Sequence, residues 1–106
     1  MTSHPVLEVA ILNIRRSQVP PFLDAFSRAE PIIAAADGYG GHELRRCVED
    51  DHRFLLLVWW DSVGSHEIGF RQSAAYQEWR HLLHRFYDPF PVVEHYVEER
   101  RSDGHV

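Results

Sequence analysis

The chain has 106 residues, of which 44% are apolar and 25% charged, a composition typical of a single soluble domain and not of a disordered chain. Its net charge of −5 disfavours a nucleic-acid partner, because phosphate binding needs a basic face. Cys47 is the only cysteine, which excludes an intramolecular disulfide and fits a reducing compartment. No apolar run approaches the ~20 residues that cross a bilayer, and residues 1–5 show no signal segment. We expect one domain over residues 1–106, in the cytoplasm and without a membrane partner.

Residues 6–14 predict the first strand, since they are rich in β-branched side chains and are interrupted by few polar ones, among them Glu8. An amphipathic helix follows, with Ser17 as its expected cap and Pro20 in its first turn, where a missing amide hydrogen costs little. Pro31 lies inside the helical spacing, so we expect it to kink or divide the helix.

Residues 39–48 predict a second strand, and Gly38 before it can supply a left-handed turn at the end of the helix. The charged side chains of this strand are typical of a sheet edge. A polar turn over residues 49–52 joins it in a hairpin to residues 54–60. These seven residues are all apolar, so we expect both faces of this central strand to be buried.

The segment after the central strand predicts a helix in two pieces. Asp61 or Ser62 is the expected cap of a helix over residues 63–72, because either side chain can accept the first free amide hydrogens. Ser73 marks a break, after which an apolar stripe continues to Phe86.

Residues 92–98 predict the last strand, and residues 99–106 a flexible polar tail. The order strand, helix, strand, strand, helix, strand gives an α+β fold: a ferredoxin-like βαββαβ plait with a four-stranded antiparallel sheet. Helices cover only one face of such a sheet, whereas residues 54–60 are apolar on both. A second copy packed sheet to sheet is the simplest cover, so we expect a homodimer.

Three ordered patterns carry a resemblance to a known family. The chain contains Gly38-Tyr39-Gly40-Gly41-His42-Glu43, then His66-(x)3-Phe70-Arg71-(x)1-Ser73-(x)2-Tyr76-(x)2-Trp79-Arg80, then Pro-Val-Val-Glu-His-Tyr over residues 91–96. Together with the strand order, these patterns resemble the antibiotic biosynthesis monooxygenase (ABM) domain family over nearly the whole chain. The resemblance implies a dimeric α+β barrel with a pocket between helices and sheet. Some similar proteins oxidise polycyclic aromatic compounds with molecular oxygen and neither metal nor flavin, others degrade haem, and many have no known substrate.

The haem-degrading branch of that family uses an asparagine on the first strand and a tryptophan and a histidine on the second helical segment. Laid along this chain, the asparagine falls nearest Ala10. The tryptophan falls nearest Gly69 or Phe70, and the histidine nearest Arg80 or His81. Asn13 is displaced by three residues and therefore lies on the opposite face of the strand. The triad is not reproduced, which disfavours haem degradation.

His66 is the candidate catalytic residue, chiefly through the resemblance. It follows the junction of strand and helix, and Phe70 lies one turn further on the same face. A neutral imidazole there could take a proton from a phenolic substrate, and the resulting anion could react with oxygen without a cofactor. The structural alternative is a helix histidine bonded to a nearby carboxylate, such as Asp61 or Glu67.

Aromatic side chains are the candidate walls of a substrate pocket. Phe70, Tyr76 and Trp79 would offer flat apolar surfaces, although Trp79 at the middle of the apolar stripe is also typical of core. Trp59 and Trp60 point to opposite faces, so at most one lines the pocket, and periodicity alone does not decide which. Trp60 is taken as the candidate.

His42 and His95 each lie on a predicted strand among apolar neighbours and are further candidates for substrate binding, or for bonds across a dimer. No set of histidines shows ligand spacing with a carboxylate on the same face. His81 and His84 are three apart on a helix, but no second pair completes a site. We therefore expect no metal and no other cofactor.

Two functions of different class remain. The first is a cofactor-independent monooxygenase acting on an aromatic or polyketide-like small molecule. The second is a non-catalytic dimer that binds a small apolar ligand. A haem-binding or haem-degrading protein is a third and weaker hypothesis. An RNA-recognition plait shares the strand order, but residues 54–60 lack its basic ribonucleoprotein motif and the chain is acidic.

Overall fold

The computed structural model describes residues 5–104 and has the predicted order of strands and helices. The four strands are β1 (Val6–Asn13), β2 (Tyr39–Arg46), β3 (Arg53–Trp60) and β4 (Val93–Tyr96). The helices are α1 (Val19–Ala34) and α2 (Ala74–Leu83), with a π-helical segment (Ser65–Phe70, the π segment) between β3 and α2. Single 3-10 turns cover Arg16–Gln18 and His84–Phe86.

The strands form one antiparallel sheet in the order β2-β3-β1-β4, which confirms the ferredoxin-like plait. The two apolar strands, β1 and β3, occupy its centre, and the charged β2 lies at an edge as predicted. Within residues 5–104, no helix is long and apolar enough to cross a membrane.

Within the single chain only one face of β3 is buried, so the prediction that both faces are buried depends on a second copy. Phe54, Leu56, Val58 and Trp60 face the helices and are buried. The alternate side chains lie on the other face, where Trp59 is 38% exposed. This second face, here called the open face, also carries Leu7, Val9, Ile11, Leu55 and Leu57. Helices cover one side of a plait only, so the open face is apolar but uncovered within one chain.

Helix α1 differs in detail from its prediction. Gln18, and not Ser17, occupies the N-cap position, and its side chain makes no capping bond. Pro20 does lie in the first turn. Pro31 lies inside α1 without dividing it, so its ring is accommodated within a helix that continues to Ala34. Gly38 has φ +84°, and a side chain there would also collide with Ser65, so glycine is required before β2.

The connection between β3 and α2 is built by two serines. Ser62 Oγ accepts the amide hydrogen of Ser65 at 3.1 Å, at the start of the π segment. Ser73 is the N-cap of α2 and accepts the amide hydrogen of Tyr76 at 3.2 Å. The predicted break at Ser73 is confirmed, but the first piece is mostly a π segment where an α-helix was expected.

The hydrophobic core fills the space between the helices and the sheet. Strand β4 is shorter than predicted, and residues 97–104 form no helix or strand. The last two residues of the predicted tail, 105 and 106, and most of the N-terminal stretch examined for a signal, 1–4, lie outside the described residues.

Candidate active site

A cavity lies between the helices and the face of the sheet that packs against them, here called the covered face. Its largest apolar walls are Phe70, Trp79, Tyr87 and Phe90, and its polar groups are Glu8, His66, Arg71, Tyr76 and His84. The enclosed part of the cavity has a volume of only about 50 Å³, and the space free of atoms reaches about 490 Å³ when the open mouth is counted. The cavity is therefore a narrow slot with aromatic walls, which suits a flat ligand better than a bulky one.

Glu8 is a buried carboxylate in this cavity. It lies on β1 between Val6 and Ala10 on the covered face and is only 6% exposed. Trp60 Nε1 donates a hydrogen bond of 2.9 Å to Glu8 Oε1. Burial raises the pKa of Glu8 from 4.5 to about 6, although the Trp60 bond and the charge of Arg71 oppose the rise. At neutral pH the carboxylate is mostly ionised and is a stronger base than an exposed one.

His66 lies on the π segment and is 4% exposed, so it is inside the protein and not at the mouth of the cavity. Its ring stacks on Trp60, with centroids 5.2 Å apart and planes 19° apart. His66 Nε2 is 3.3 Å from Glu8 Oε1, so its carboxylate neighbour is Glu8 and neither Asp61 nor Glu67. Burial, His95 and Arg71 lower the pKa of His66 to about 4, so the imidazole is neutral at neutral pH.

His95 completes a row of three polar side chains. Its position on β4 pairs with Glu8 on β1, which brings three elements together at one point. His66 Nδ1 and His95 Nε2 are 2.8 Å apart and share one hydrogen bond. With an ionised Glu8 beside Nε2, the favoured tautomer of His66 carries its proton on Nε2, and His95 then donates to Nδ1.

A second polar pair lies in the same cavity. The hydroxyl of Tyr76 and His84 Nε2 are 3.5 Å apart, a long hydrogen bond. Burial, with the charges of Arg80 and Arg71, lowers the pKa of His84 to about 4, so this ring is also neutral at neutral pH. The cavity thus contains two polar pairs, a carboxylate with an imidazole and a phenol with an imidazole.

The structure brings most of the predicted site residues together, but not all in the role expected. Phe70, Tyr76 and Trp79 line the cavity, and Trp79 also packs edge-on against Phe26 and Phe70. Trp60 is the tryptophan on the covered face, where it lies behind His66 and holds Glu8.

His42 does not belong to this group. Its Nε2 is 2.6 Å from Glu30 on α1, its Nδ1 is bonded to the hydroxyl of Tyr39, and its ring meets the edge of Phe26. These contacts tie β2 to α1 outside the cavity, so the position of His42 favours a structural role.

The metal alternative gains little from the geometry. Within residues 5–104, the one cluster of three ligand atoms within 4.8 Å of one another is Asp50, Asp51 and His52. It lies in the turn between β2 and β3, and Asp50 is already paired with His52 at 3.0 Å and Arg53 at 3.3 Å. His81 is exposed and His84 faces the cavity, so these two do not form a pair.

Sequence reasoning missed Glu8, Arg71 and His84 as members of the site. The signal for Glu8 was present, because an acidic residue in phase with Val6 and Ala10 must lie on the covered face of β1. A buried carboxylate in that position calls for a partner, and the partner came from β3. The sequence pattern suggested His84 only as a metal ligand.

Comparison with known proteins places the chain in a family. The family model for antibiotic biosynthesis monooxygenases matches residues 5–82. An uncharacterised protein of Bacillus subtilis, YczJ, is 50% identical over 93 residues, which are 88% of this chain and 98% of the relative. The chain belongs to the antibiotic biosynthesis monooxygenase family.

Solved structures agree with this assignment. A candidate antibiotic biosynthesis monooxygenase from Bordetella bronchiseptica is 31% identical, with a TM-score of 0.86 over 91% of this chain and 98% of its own. SnoaB, a cofactor-independent oxygenase of Streptomyces nogalater, superposes with a TM-score of 0.72 over 94% of this chain and 96% of its own. SnoaB is only 16% identical, so that likeness shows the fold alone.

Proposed function

We propose that the protein is a cofactor-independent monooxygenase that acts on a planar aromatic or polyketide-like small molecule. The observation that carries this proposal is the buried Glu8 carboxylate, which opens on an aromatic slot and has a pKa raised to about 6. A base that titrates near the working pH is what proton abstraction from an acidic carbon or hydroxyl requires. Family membership and the named activity of SnoaB support the same class of reaction.

Glu8 is a better candidate for the base than His66. The Nδ1 of His66 is taken up by the bond to His95, and its Nε2 proton lies beside Glu8. An imidazole held in this way has no lone pair left for a substrate. Among residues 5–104, no hydrogen bond reaches Glu8 Oε2, so this oxygen is free to take a proton. His66 then orients the carboxylate, and with His95 it can pass a proton onward.

The reaction needs no cofactor if the substrate supplies the electrons. Glu8 takes a proton from an activated methylene of the ring system, and the electron pair remains on carbon. The carbanion adds to molecular oxygen, and Glu8 returns the proton to give a hydroperoxide on that carbon. Loss of water, which carries away the second methylene hydrogen, leaves a ketone. One oxygen atom ends in the ketone and the other in water, so molecular oxygen is reduced by four electrons that the substrate carbon supplies.

The test is oxygen consumption with a panel of hydroxylated two- and three-ring aromatics that carry an acidic methylene or phenol. Wild type should consume oxygen with at least one of them, and Glu8→Gln should lower the rate by ~100-fold or more, as loss of a general base does. Glu78→Gln, an exposed change on α2, is the matched control and should leave the rate unchanged. A Glu8→Gln variant with the wild-type rate would overturn the assignment of the base.

The same panel distinguishes the non-catalytic alternative. If the compounds bind wild type and protect it against thermal unfolding while no oxygen is consumed with any of them, the protein is a small-ligand-binding member of its family. His66→Gln distinguishes the orienting role proposed for His66 from the role of Glu8 as the base. It should slow turnover less than Glu8→Gln does, because the carboxylate remains.

We also propose that two copies pack through the open face to form a homodimer. Leu7, Val9, Leu55 and Leu57 lie together there with Trp59, and a soluble monomer rarely exposes so continuous an apolar face. The single free cysteine, Cys47, supports a reducing cytoplasm as the place of action.

A further inference from the structure

We infer that Arg71 binds an anionic oxygen of the ligand, so that the cavity selects planar aromatic compounds carrying a phenolate, enolate or carboxylate over neutral ones of the same shape. This inference rests on the proposed function for the cavity, and it adds the charge of the substrate and the residue that recognises it.

The first observation is the place of Arg71 in the chain. The wide turn of the π segment ends with the amide of Arg71 donating to the carbonyl of His66 at 2.9 Å. This bond spans five residues and sets Arg71 one turn from His66 at the edge of the cavity. Wide turns of this kind are frequent at functional sites, where they re-aim side chains.

The second observation is that the guanidinium of Arg71 has no partner in the described part of the chain. Of the eleven arginines, five have a carboxylate within 4.0 Å, namely Arg15, Arg28, Arg45, Arg53 and Arg101. Arg71 is exposed and is one of six for which no such pair is found within residues 5–104, but it alone of these six lines the cavity. Arg71 has neither an ion pair nor a side-chain hydrogen bond within residues 5–104, although it lines a cavity that contains Glu8. A guanidinium offers five donors in a planar fork, which fits a carboxylate or a pair of ring oxygens.

The third observation is the charge balance of the cavity. Arg71 lines the same cavity as Glu8, His66 and His84, and its charge acts on all three. Both imidazoles are neutral, so the described lining of the cavity contains one cation and one anion. When Glu8 takes a proton from the ligand, the negative charge moves from the carboxylate to the ligand. Arg71 is then the charged group of this lining that is left to stabilise it.

The remaining polar groups suggest a second point of contact. The hydroxyl of Tyr76 and the ring of His84 lie in the same cavity and are bonded to each other only by a long 3.5 Å contact. A ligand hydroxyl can insert there as donor or acceptor. A flat compound with two oxygens, one anionic at Arg71 and one neutral at Tyr76, would use both groups of the cavity lining.

The experiment measures binding in the absence of oxygen with two probes of the same shape, 1-hydroxy-2-naphthoate and 1-hydroxy-2-naphthamide. Wild type should bind the anion at least ~10-fold more tightly than the amide, since a charge-assisted bond replaces a neutral one. Arg71→Gln should reduce this ratio to about 2 or less, and Arg71→Lys should restore part of it, because the charge returns without the fork. Arg28→Gln removes an exposed arginine on α1, away from the cavity, and is the control, with the wild-type ratio expected.

Equal binding of the two probes to wild type would overturn the inference, as would an unchanged ratio in Arg71→Gln. Thermal unfolding of each variant shows whether it is folded, and the position of Arg71 at the surface of the cavity predicts little change. The outcome is separable from the proposed function. If the ratio depends on Arg71 but no compound consumes oxygen, the oxygenase proposal fails and the ligand class stands. If Glu8→Gln abolishes oxygen consumption but Arg71→Gln keeps the ratio, only the present inference fails.

Discussion

The indole of Trp60 and the carboxylate of Glu8 are joined by a 2.9 Å hydrogen bond between neighbouring central strands, both on the covered face of the sheet. Val6 is the register partner of Trp60, so Glu8 is its diagonal neighbour, at a distance that a long side chain spans. A carboxylate so deeply buried needs at least one such donor. The bond fixes one oxygen of Glu8 and leaves the other for the cavity.

Replacing Trp60 by phenylalanine removes this donor and keeps most of the apolar surface. We expect Trp60→Phe to raise the pKa of Glu8 above about 6, because the bond to the indole favours the ionised form. The loss of a bond to a buried acceptor should cost about 1–3 kcal/mol of unfolding free energy. Carbon-detected NMR titration of the Glu8 carboxyl measures the first effect, and urea unfolding the second. A pKa that stays in place or falls would contradict this account of the bond.

The pH dependence of stability provides a test of the buried carboxylate. The pKa of Glu8 is 4.5 in an unfolded chain and about 6 in the folded protein, so its contribution is fully present below pH 4.5 and is lost as the pH rises through 6. The difference corresponds to about 2 kcal/mol. Glu8→Gln does not ionise, so its stability relative to wild type should rise by about this amount between pH 4.5 and pH 7.5.

Only the difference in stability between wild type and Glu8→Gln reports the contribution of Glu8 alone. His66 and His84 have lowered pKa values, so their contribution is present above pH 6.5 and is lost as the pH falls towards 4, in the opposite direction. Both histidines are present in wild type and in Glu8→Gln. Parallel stability curves for the two proteins would show that the carboxylate is not desolvated as the structure implies.

The open face predicts the result of a charge substitution. Wild type should sediment at micromolar concentration as a dimer of the 12.4 kDa chain. Leu57→Glu places a carboxylate at the centre of the apolar patch and should dissociate the dimer, because burying an unpaired charge is strongly unfavourable. Ile68→Glu is the control, since Ile68 is 66% exposed on the π segment and lies away from the sheet. A well-folded wild-type monomer would remove the basis for this interface.

Haem should not bind tightly. The slot is narrow, the Nδ1 of His66 is bonded to His95, and His84 faces Tyr76, so neither histidine of the described cavity lining is placed as an axial ligand. Asn13 lies on the open face and accepts a bond from Arg53 at 3.3 Å, away from the cavity. Haem titration should give no sharp Soret shift at a one-to-one ratio and no loss of the band with ascorbate. Stoichiometric haem binding followed by degradation would contradict the conclusion that this chain lacks the haem-degrading triad.

The sheet was predictable because it depends on local patterns. The charged side chains of β2 predicted the edge, the unbroken apolar run of β3 predicted the centre, and Ser73 predicted the break before α2. The run of β3 also predicts that its second side is covered, and within one chain that side is the apolar open face. Under the proposed homodimer the cover is the open face of a second copy.

The site was less predictable because it depends on register. Glu8 meets Trp60 and His95 only when β1, β3 and β4 are aligned, and a slip by one residue would turn Glu8 to the open face. The π segment adds a further uncertainty, since α-helical spacing does not show that His66 and Arg71 are joined by a backbone bond. His42 is the opposite case: it was a candidate for the site, but its partners lie outside the cavity, on α1 and on β2 itself.

The serine cap at the start of α2 has an evolutionary consequence. Because Ser73 begins a new helix with its own hydrogen bonds, Trp79 and Leu83 stay anchored in the core whatever length of chain precedes them. An insertion or deletion within the π segment would therefore rotate or remove Arg71 without unravelling α2. Selection could exchange one substrate for another at this turn while the scaffold stays the same, so related proteins with one fold could differ in what they oxidise.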